Sequence, residues 1–286
     1  MALDDIILGD GHDGPESAVQ GIFQTATGRG GSWTFMGDTY MIPRRICPEY
    51  PDEFVPRRGY PCFRPGSLPI VILVTDIEWH NGDAGGTRHP YIEITPPPPT
   101  LIQAAVAFNA LGARFIGVPV RDRDTLTYFG TDHEAMALQT GSVNAAGEPL
   151  VFPAIAGDVS NAIIDGIHVL ADETPFEVTT AEEDRQPNPG GVDATLMITS
   201  IVPVEGYGPG GRGTGFASMD ETTFYRVTPG TDVEFRVTFE NTIVMPPETA
   251  QVFRAIIVVL GNGVARLDER RVFIIVPPEG EDVILF

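Results

Sequence analysis

The sequence predicts an α/β domain followed by an all-β domain. In the first part, near-continuous apolar runs alternate with helical patterns, which is typical of an open parallel sheet. Past Asp172, segments such as 233–240 alternate strictly between apolar and polar residues and no helical pattern accompanies them. This is the pattern of half-buried strands in a β-sandwich. We therefore expect an α/β domain over 1–172, built on a partial doubly wound sheet with helices on both faces, and a β-sandwich domain over 173–286.

The α/β prediction begins with a helix over 15–27, because Pro15 suits a first helical turn. The apolar run at 68–76 follows as a buried strand. A helix over 100–111 has Thr100 as its N-cap, and a second strand over 114–120 comes directly after it. A strand, a helix and a strand in this order form a βαβ unit, so the two strands should be parallel.

Further patterns complete the two domains. Two more helices are predicted at 132–140 and 159–171, and His133, at the start of the first, is interpreted as a local cap. In the second domain, Gly261-Asn262-Gly263 between two apolar runs indicates a hairpin turn. The predicted strands cover 194–201, 223–227, 233–240, 251–260 and 271–276. We expect these strands to form an immunoglobulin-like sandwich.

The charge balance excludes some classes of partner. The chain has 39 acidic and 18 basic residues, a net charge of −21, and every basic residue is an arginine. Such a surface repels phosphate backbones, so we expect no nucleic-acid partner. Apolar runs stay below the ~20 residues of a membrane span. The acidity favours a secreted or cell-surface protein, and the absence of an export signal at the beginning suggests an N-terminally truncated piece.

Two cysteines, Cys47 and Cys62, lie in one irregular stretch rich in arginine and proline. Their closeness favours a local disulfide over the alternative of two unrelated buried thiols. A disulfide here would indicate an oxidising compartment.

Three carboxylates are the candidate site. Asp76 ends the apolar strand, and Asp13 and Glu16 come just before the first helix. In an open α/β sheet, ligands bind beyond the carboxyl ends of the strands. Oxygen ligands at that edge suit Mg²⁺ or Ca²⁺. A helix start whose acidic residues complement the helix dipole is the simpler alternative for the two early residues.

The ordered set of motifs resembles a von Willebrand factor A domain, in the variety found in integrin β subunits. The matching features are Asp13-Gly14-Pro15-Glu16, then the loop with Cys47 and Cys62, then Val74-Thr75-Asp76. The resemblance implies a metal-ion-dependent adhesion site whose open metal position accepts an acidic side chain of a protein ligand. Glu16 and Asp76 would be metal-site carboxylates, with Asp76 acting through water. Asp13 and the carbonyl of Pro15 would serve a neighbouring calcium site.

One departure from the family bears on this site. The Asp-X-Ser-X-Ser loop that follows the family's first strand does not occur in this sequence. We therefore expect a weak or incomplete metal site, and a sheet that lacks its first strand. Exposed strand edges favour self-association.

The leading functional hypothesis is a non-enzymatic, metal-assisted adhesion or protein-interaction module. A structural surface or appendage component with a degenerate metal site is the first alternative. The second is a zinc hydrolase, in which Glu78, His80 and His89 would bind the metal.

Overall fold

The computed structural model describes residues 14–50, 55–82, 88–121, 129–155 and 157–280. The chain divides into two compact units. The first comprises Met1–Arg64 and Pro69–Leu170, and the second comprises Pro65–Leu68 and Ala171–Phe286. Within the described residues, every helix is too short or too polar to cross a membrane.

The first unit is a mixed α/β structure around a parallel sheet of three strands in the order β3-β4-β5. Strand β3 pairs with β4 in parallel, from Ile70 opposite Arg114 onwards, which confirms the predicted βαβ unit. Its elements are α1 (Ala18–Thr27), β1 (Gly31–Phe35), β2 (Asp38–Ile42), β3 (Ile70–Thr75), α2 (Leu101–Leu111), β4 (Arg114–Arg121), α3 (Thr131–Gln139), β5 (Ala154–Ile155) and α4 (Val159–Asp172). The antiparallel hairpin of β1 and β2 was not predicted.

Helix α2 begins and ends where its sequence predicts. The Thr100 hydroxyl accepts a hydrogen bond from the backbone N–H of Gln103, and the Gln103 side chain accepts one from the N–H of Thr100. This reciprocal capping box satisfies two of the N–H groups that a helix start leaves unpaired. Gly112 then ends the helix in the left-handed conformation.

Helices cover both faces of the sheet. Alternate residues of β4 point to opposite faces, so Phe115 packs with Phe108 of α2, whereas Ile116 packs with Leu170 of α4. Helices α1 and α3 share the first of these two cores, through Val19 and other buried residues. The α/β class and the covering of both faces are therefore as the sequence predicts.

The loop between β2 and β3 is closed by a disulfide between Cys47 and Cys62, whose Cα atoms lie 5.5 Å apart. The predicted pairing is confirmed. The bridge closes 15 residues, which contributes about 3 kcal/mol in the chain-entropy description of cross-links.

The second unit consists of antiparallel sheets. The larger has the strand order β12-β11-β6-β9-β8, and the smaller pairs β10 with β7. The strands are β6 (Phe176–Asp184), β7 (Ile198–Tyr207), β8 (Ser218–Met219), β9 (Phe224–Val227), β10 (Asp232–Phe239), β11 (Gln251–Gly261) and β12 (Ala265–Val276). The predicted hairpin at Gly261 joins β11 to β12. Ala194–Met197 form a 3₁₀ turn, so the predicted strand start at 194 was wrong.

The two sheets of this unit share apolar contacts. Phe235 of β10 lies edge-on to Phe224 of β9, with ring centroids 5.2 Å apart. Val178 of β6 joins the same cluster. The all-β nature of this unit is therefore as predicted.

Candidate functional site

The opening of α1 lies at the carboxyl end of β3. The backbone N–H of Glu16 donates to the carbonyl of Glu78 at 2.8 Å, and the N–H of His80 donates to the carbonyl of Glu16 at 2.8 Å. Asp76 directly follows β3, and both Glu16 and Asp76 are exposed. The structure therefore brings Glu16 to the loop that follows Asp76. Asp13 lies outside the described residues.

Glu16, Asp76 and Glu78 supply only part of the oxygen ligands that a Mg²⁺ or Ca²⁺ ion takes. Ca²⁺ takes about six to eight oxygen ligands and Mg²⁺ about six, several of which are often water. Glu16 and Asp76 offer exposed carboxylates, whereas both oxygens of the nearby Glu78 face side chains of the protein, Arg88 and His89. The described part of the chain contains no group of three acidic, histidine or cysteine side chains arranged to hold a metal.

Glu78 is the centre of an ion-pair network. Its Oε1 lies 3.4 Å from Nη2 of Arg88, and its Oε2 lies 2.8 Å from Nε2 of His89. Nη2 of Arg88 also donates to Oδ2 of Asp132 at 3.1 Å. These contacts connect the loop after β3, the segment before α2 and the first turn of α3.

The alternative zinc residues come close together in this network. Nδ1 of His80 lies 3.0 Å from the carbonyl oxygen of His89, and the His80 ring stacks on Tyr91 with centroids 4.5 Å apart. Nε2 of His89 contacts Oε2 of Glu78, so this ring nitrogen and this carboxylate oxygen face each other. The arrangement is a histidine–carboxylate contact beside an aromatic stack.

Asp132 connects helix α3 to the loop after β3. Its Oδ2 accepts hydrogen bonds from the backbone N–H of Trp79 at 3.0 Å and from Arg88. Asp132 lies in the first turn of α3, where the helix dipole favours a negative charge. Its carboxylate therefore fixes the position of Trp79, which is only 1% exposed.

Beneath this network lies His133, a residue that the sequence interpretation placed wrongly. It was interpreted as a cap, but the N-cap of α3 is Gly130 without a side-chain hydrogen bond. His133 is fully buried, and its Nε2 lies 3.3 Å from Oγ1 of Thr75 at the end of β3. The spacing of His133, Met136 and Ala137 along the helix could have indicated this buried face.

The surroundings of His133 favour the neutral imidazole. Burial lowers the pKa of His133 to about 4, although the neighbouring charge of Asp132 acts in the opposite direction. Thr75 Oγ1 accepts from Nε1 of Trp79 at 3.1 Å and donates to the carbonyl of Ile77 at 3.5 Å, and its oxygen also lies within hydrogen-bond distance of Nε2 of His133. The ring also packs on the backbone of β4, because a Cβ on Gly117 would lie 2.8 Å from the Cβ of His133.

Comparisons with known proteins leave the family open. The chain matches no family model and no curated protein. One solved structure that it matches is the crystal structure of the human COPII-coat protein Sec24c, at 12% identity and a TM-score of 0.19. The match covers 61% of this chain and 20% of that chain, so this chain spans about a fifth of its length.

Proposed function

We propose that the chain is a non-enzymatic protein-interaction module of a secreted or cell-surface protein, which binds its partner at the carboxyl end of β3. The observation that carries the proposal is the pair of backbone hydrogen bonds that hold Glu16 against residues 78–80. They place two exposed carboxylates, Glu16 and Asp76, on adjoining segments. Carboxylates at a sheet's carboxyl edge are suited to a ligand there.

We further propose that a divalent cation assists this binding. Glu16 and Asp76 would hold Mg²⁺ or Ca²⁺, and an acidic side chain of the partner would complete the oxygen ligands. On this proposal the first unit is a von Willebrand factor A-like domain, and the second unit is an immunoglobulin-like sandwich that presents it. The disulfide between Cys47 and Cys62 supports an extracellular setting, because disulfides persist in oxidising compartments.

A binding role rather than a catalytic one is supported by the state of the titratable groups. Glu78 and His89 pair with each other, and the neutral His133 is buried beneath Trp79. A general base needs access to substrate, and these groups instead stabilise the loop.

A structural surface component is the second candidate. It is favoured by one observation: Glu78, the third carboxylate near this edge, has both oxygens turned to Arg88 and His89. On this alternative, the edge has exchanged a cation site for an internal ion pair.

Thermal unfolding in EDTA, magnesium and calcium separates the two candidates. A cation at 100 times its dissociation constant stabilises the chain by about 2.7 kcal/mol, so we expect a raised Tm. The variant Glu16→Gln/Asp76→Asn should lose this increase. The matched control Glu221→Gln/Glu248→Gln, which neutralises two exposed carboxylates of the second unit, should keep it. An unchanged Tm in the natural chain, or an equal increase in the Glu16/Asp76 variant, would refute cation binding and favour the structural role.

A further inference from the structure

A cleft lies in the first unit, and neither Glu16 nor Asp76 is among its lining residues. Helices α1 and α2 and the segment 44–50 contribute to its wall, and its volume is about 1630 Å³. Pockets for small molecules measure about 300–1,000 Å³. The cleft is therefore large enough for a segment of polypeptide.

Arginines surround this cleft. Five of the 18 in the chain line it: Arg29, Arg44, Arg45, Arg57 and Arg58. Glu49 is the one acidic residue among the described residues of the lining. In a chain of net charge −21, this concentration of guanidinium groups creates a locally positive surface.

Three of these guanidinium groups form no ion pair within the described part of the chain. Arg29, Arg44 and Arg58 are exposed, and none forms an ion pair with a residue that the structure describes. In contrast, Arg88 and Arg266 both pair with carboxylates of the chain. Three exposed arginines around one cleft, without an ion pair to any residue that the structure describes, form a surface complementary to an anionic ligand.

Part of the lining of the cleft is apolar. Ile102 and Val106 on α2 are each 64% exposed, and Ala110 follows one turn later on the same face. Ile46, which is 79% exposed, also lines the cleft. Exposed apolar side chains next to cationic groups favour a ligand that carries both carboxylates and apolar side chains.

We propose that this cleft binds an extended acidic segment of a partner protein. Its carboxylates pair with Arg29, Arg44 and Arg58, and its apolar side chains pack against Ile102 and Val106. A peptide fits better than a nucleic acid, because the net charge of −21 repels a long polyanion, whereas a short segment brings only a few charges. Binding at the cleft uses no cation, which distinguishes it from the carboxylate edge at Glu16 and Asp76.

Selection from a random library of displayed peptides tests the proposal on the full chain. Peptides of about twelve residues, which span about 40 Å when extended, are used. We expect the enriched peptides to combine Asp or Glu with large apolar residues and to bind equally well in EDTA. A selection without that bias, or binding that EDTA abolishes, would overturn the proposal.

Charge-reversal variants then locate the binding. The enriched peptides should bind Arg29→Glu/Arg44→Glu/Arg58→Glu at least about tenfold more weakly than the natural chain. Arg212→Glu/Arg236→Glu makes a charge change of the same kind at two exposed arginines of the second unit, and we expect it to change affinity by less than about twofold.

An independent variant, Ile102→Asn/Val106→Asn, removes the apolar wall and retains every arginine. It should also weaken binding by at least about tenfold, because two apolar side chains lose their burial. Equal affinity of the natural chain and both cleft variants would refute the proposal. A single-stranded DNA of matched length that competes for the same arginines would also refute it, since the cleft would then be a general anion site.

Discussion

The buried imidazole of His133 should make the stability of the first unit depend on pH. Its pKa is lowered from 6.5 to about 4 in the folded chain. As the pH falls below 6.5, the unfolded chain binds a proton at this position and the folded chain does not. The free energy of unfolding therefore falls between pH 6.5 and 4. At about 1.4 kcal/mol for each pH unit, the full loss amounts to about 3 kcal/mol.

Urea unfolding followed by tryptophan fluorescence measures this loss. Both tryptophans, Trp33 and Trp79, belong to the first unit, so the signal reports on its unfolding. The natural chain is compared with His133→Gln from pH 7 to pH 4, because the titration of the many carboxylates is common to both and cancels in the difference. We expect the natural chain's advantage over the variant to shrink by about 3 kcal/mol.

A control variant and one outcome test whether the pH dependence of stability comes from His133. His168→Gln removes an exposed histidine of α4 and serves as the control for the loss of an imidazole elsewhere in the first unit. If the difference in the free energy of unfolding between the natural chain and His133→Gln stays constant from pH 7 to pH 4, the folded chain does not disfavour the imidazolium. Burial of the His133 ring against Trp79, Thr75 and Gly117 would then not lower its pKa.

Two further predictions concern the connections between the loops and the core. Asp132→Ala removes the acceptor of the buried Trp79 N–H and should lower the free energy of unfolding by about 1–3 kcal/mol. Asp132→Asn keeps an acceptor oxygen, so its loss of stability should be smaller. Equal losses for the two variants in urea unfolding would contradict this assignment. Replacing Cys47 and Cys62 by serine should cost about 3 kcal/mol, and an unchanged urea midpoint would show that the loop is held by other contacts.

The regular elements of the first unit could be predicted because their signals are local. Thr100, Gln103 and Gly112 specify both ends of α2 within one stretch of sequence. The apolar run before Asp76 likewise predicts a strand, and β3 occupies Ile70–Thr75 within it. The predicted burial of this strand was wrong, because β3 lies at the edge of the three-stranded sheet and Ile70 and Val74 are exposed. These signals depend on hydrogen bonds between near neighbours and on burial patterns, both of which a single segment carries.

The details of the candidate site depend on contacts between distant segments, which no local pattern encodes. Thr75 and His133 are 58 residues apart, and Asp132 meets Trp79 across 53 residues. A histidine beside acidic residues at a helix start indicates a cap when only the sequence is considered. The fold instead turns its ring towards β4, where the lack of a side chain at Gly117 leaves room for it.

The cleft lined by arginines also depends on contacts between distant segments. The pairs Arg44-Arg45 and Arg57-Arg58 are visible in the sequence, but an acidic chain offers many carboxylates that could neutralise them. Cys47 lies in the segment between the two pairs, and its disulfide links that segment to Cys62. Both pairs line the same cleft as the exposed face of α2. Reduction of the disulfide should therefore weaken peptide binding at the cleft even without denaturant, because the two pairs of arginines would no longer be held on one surface.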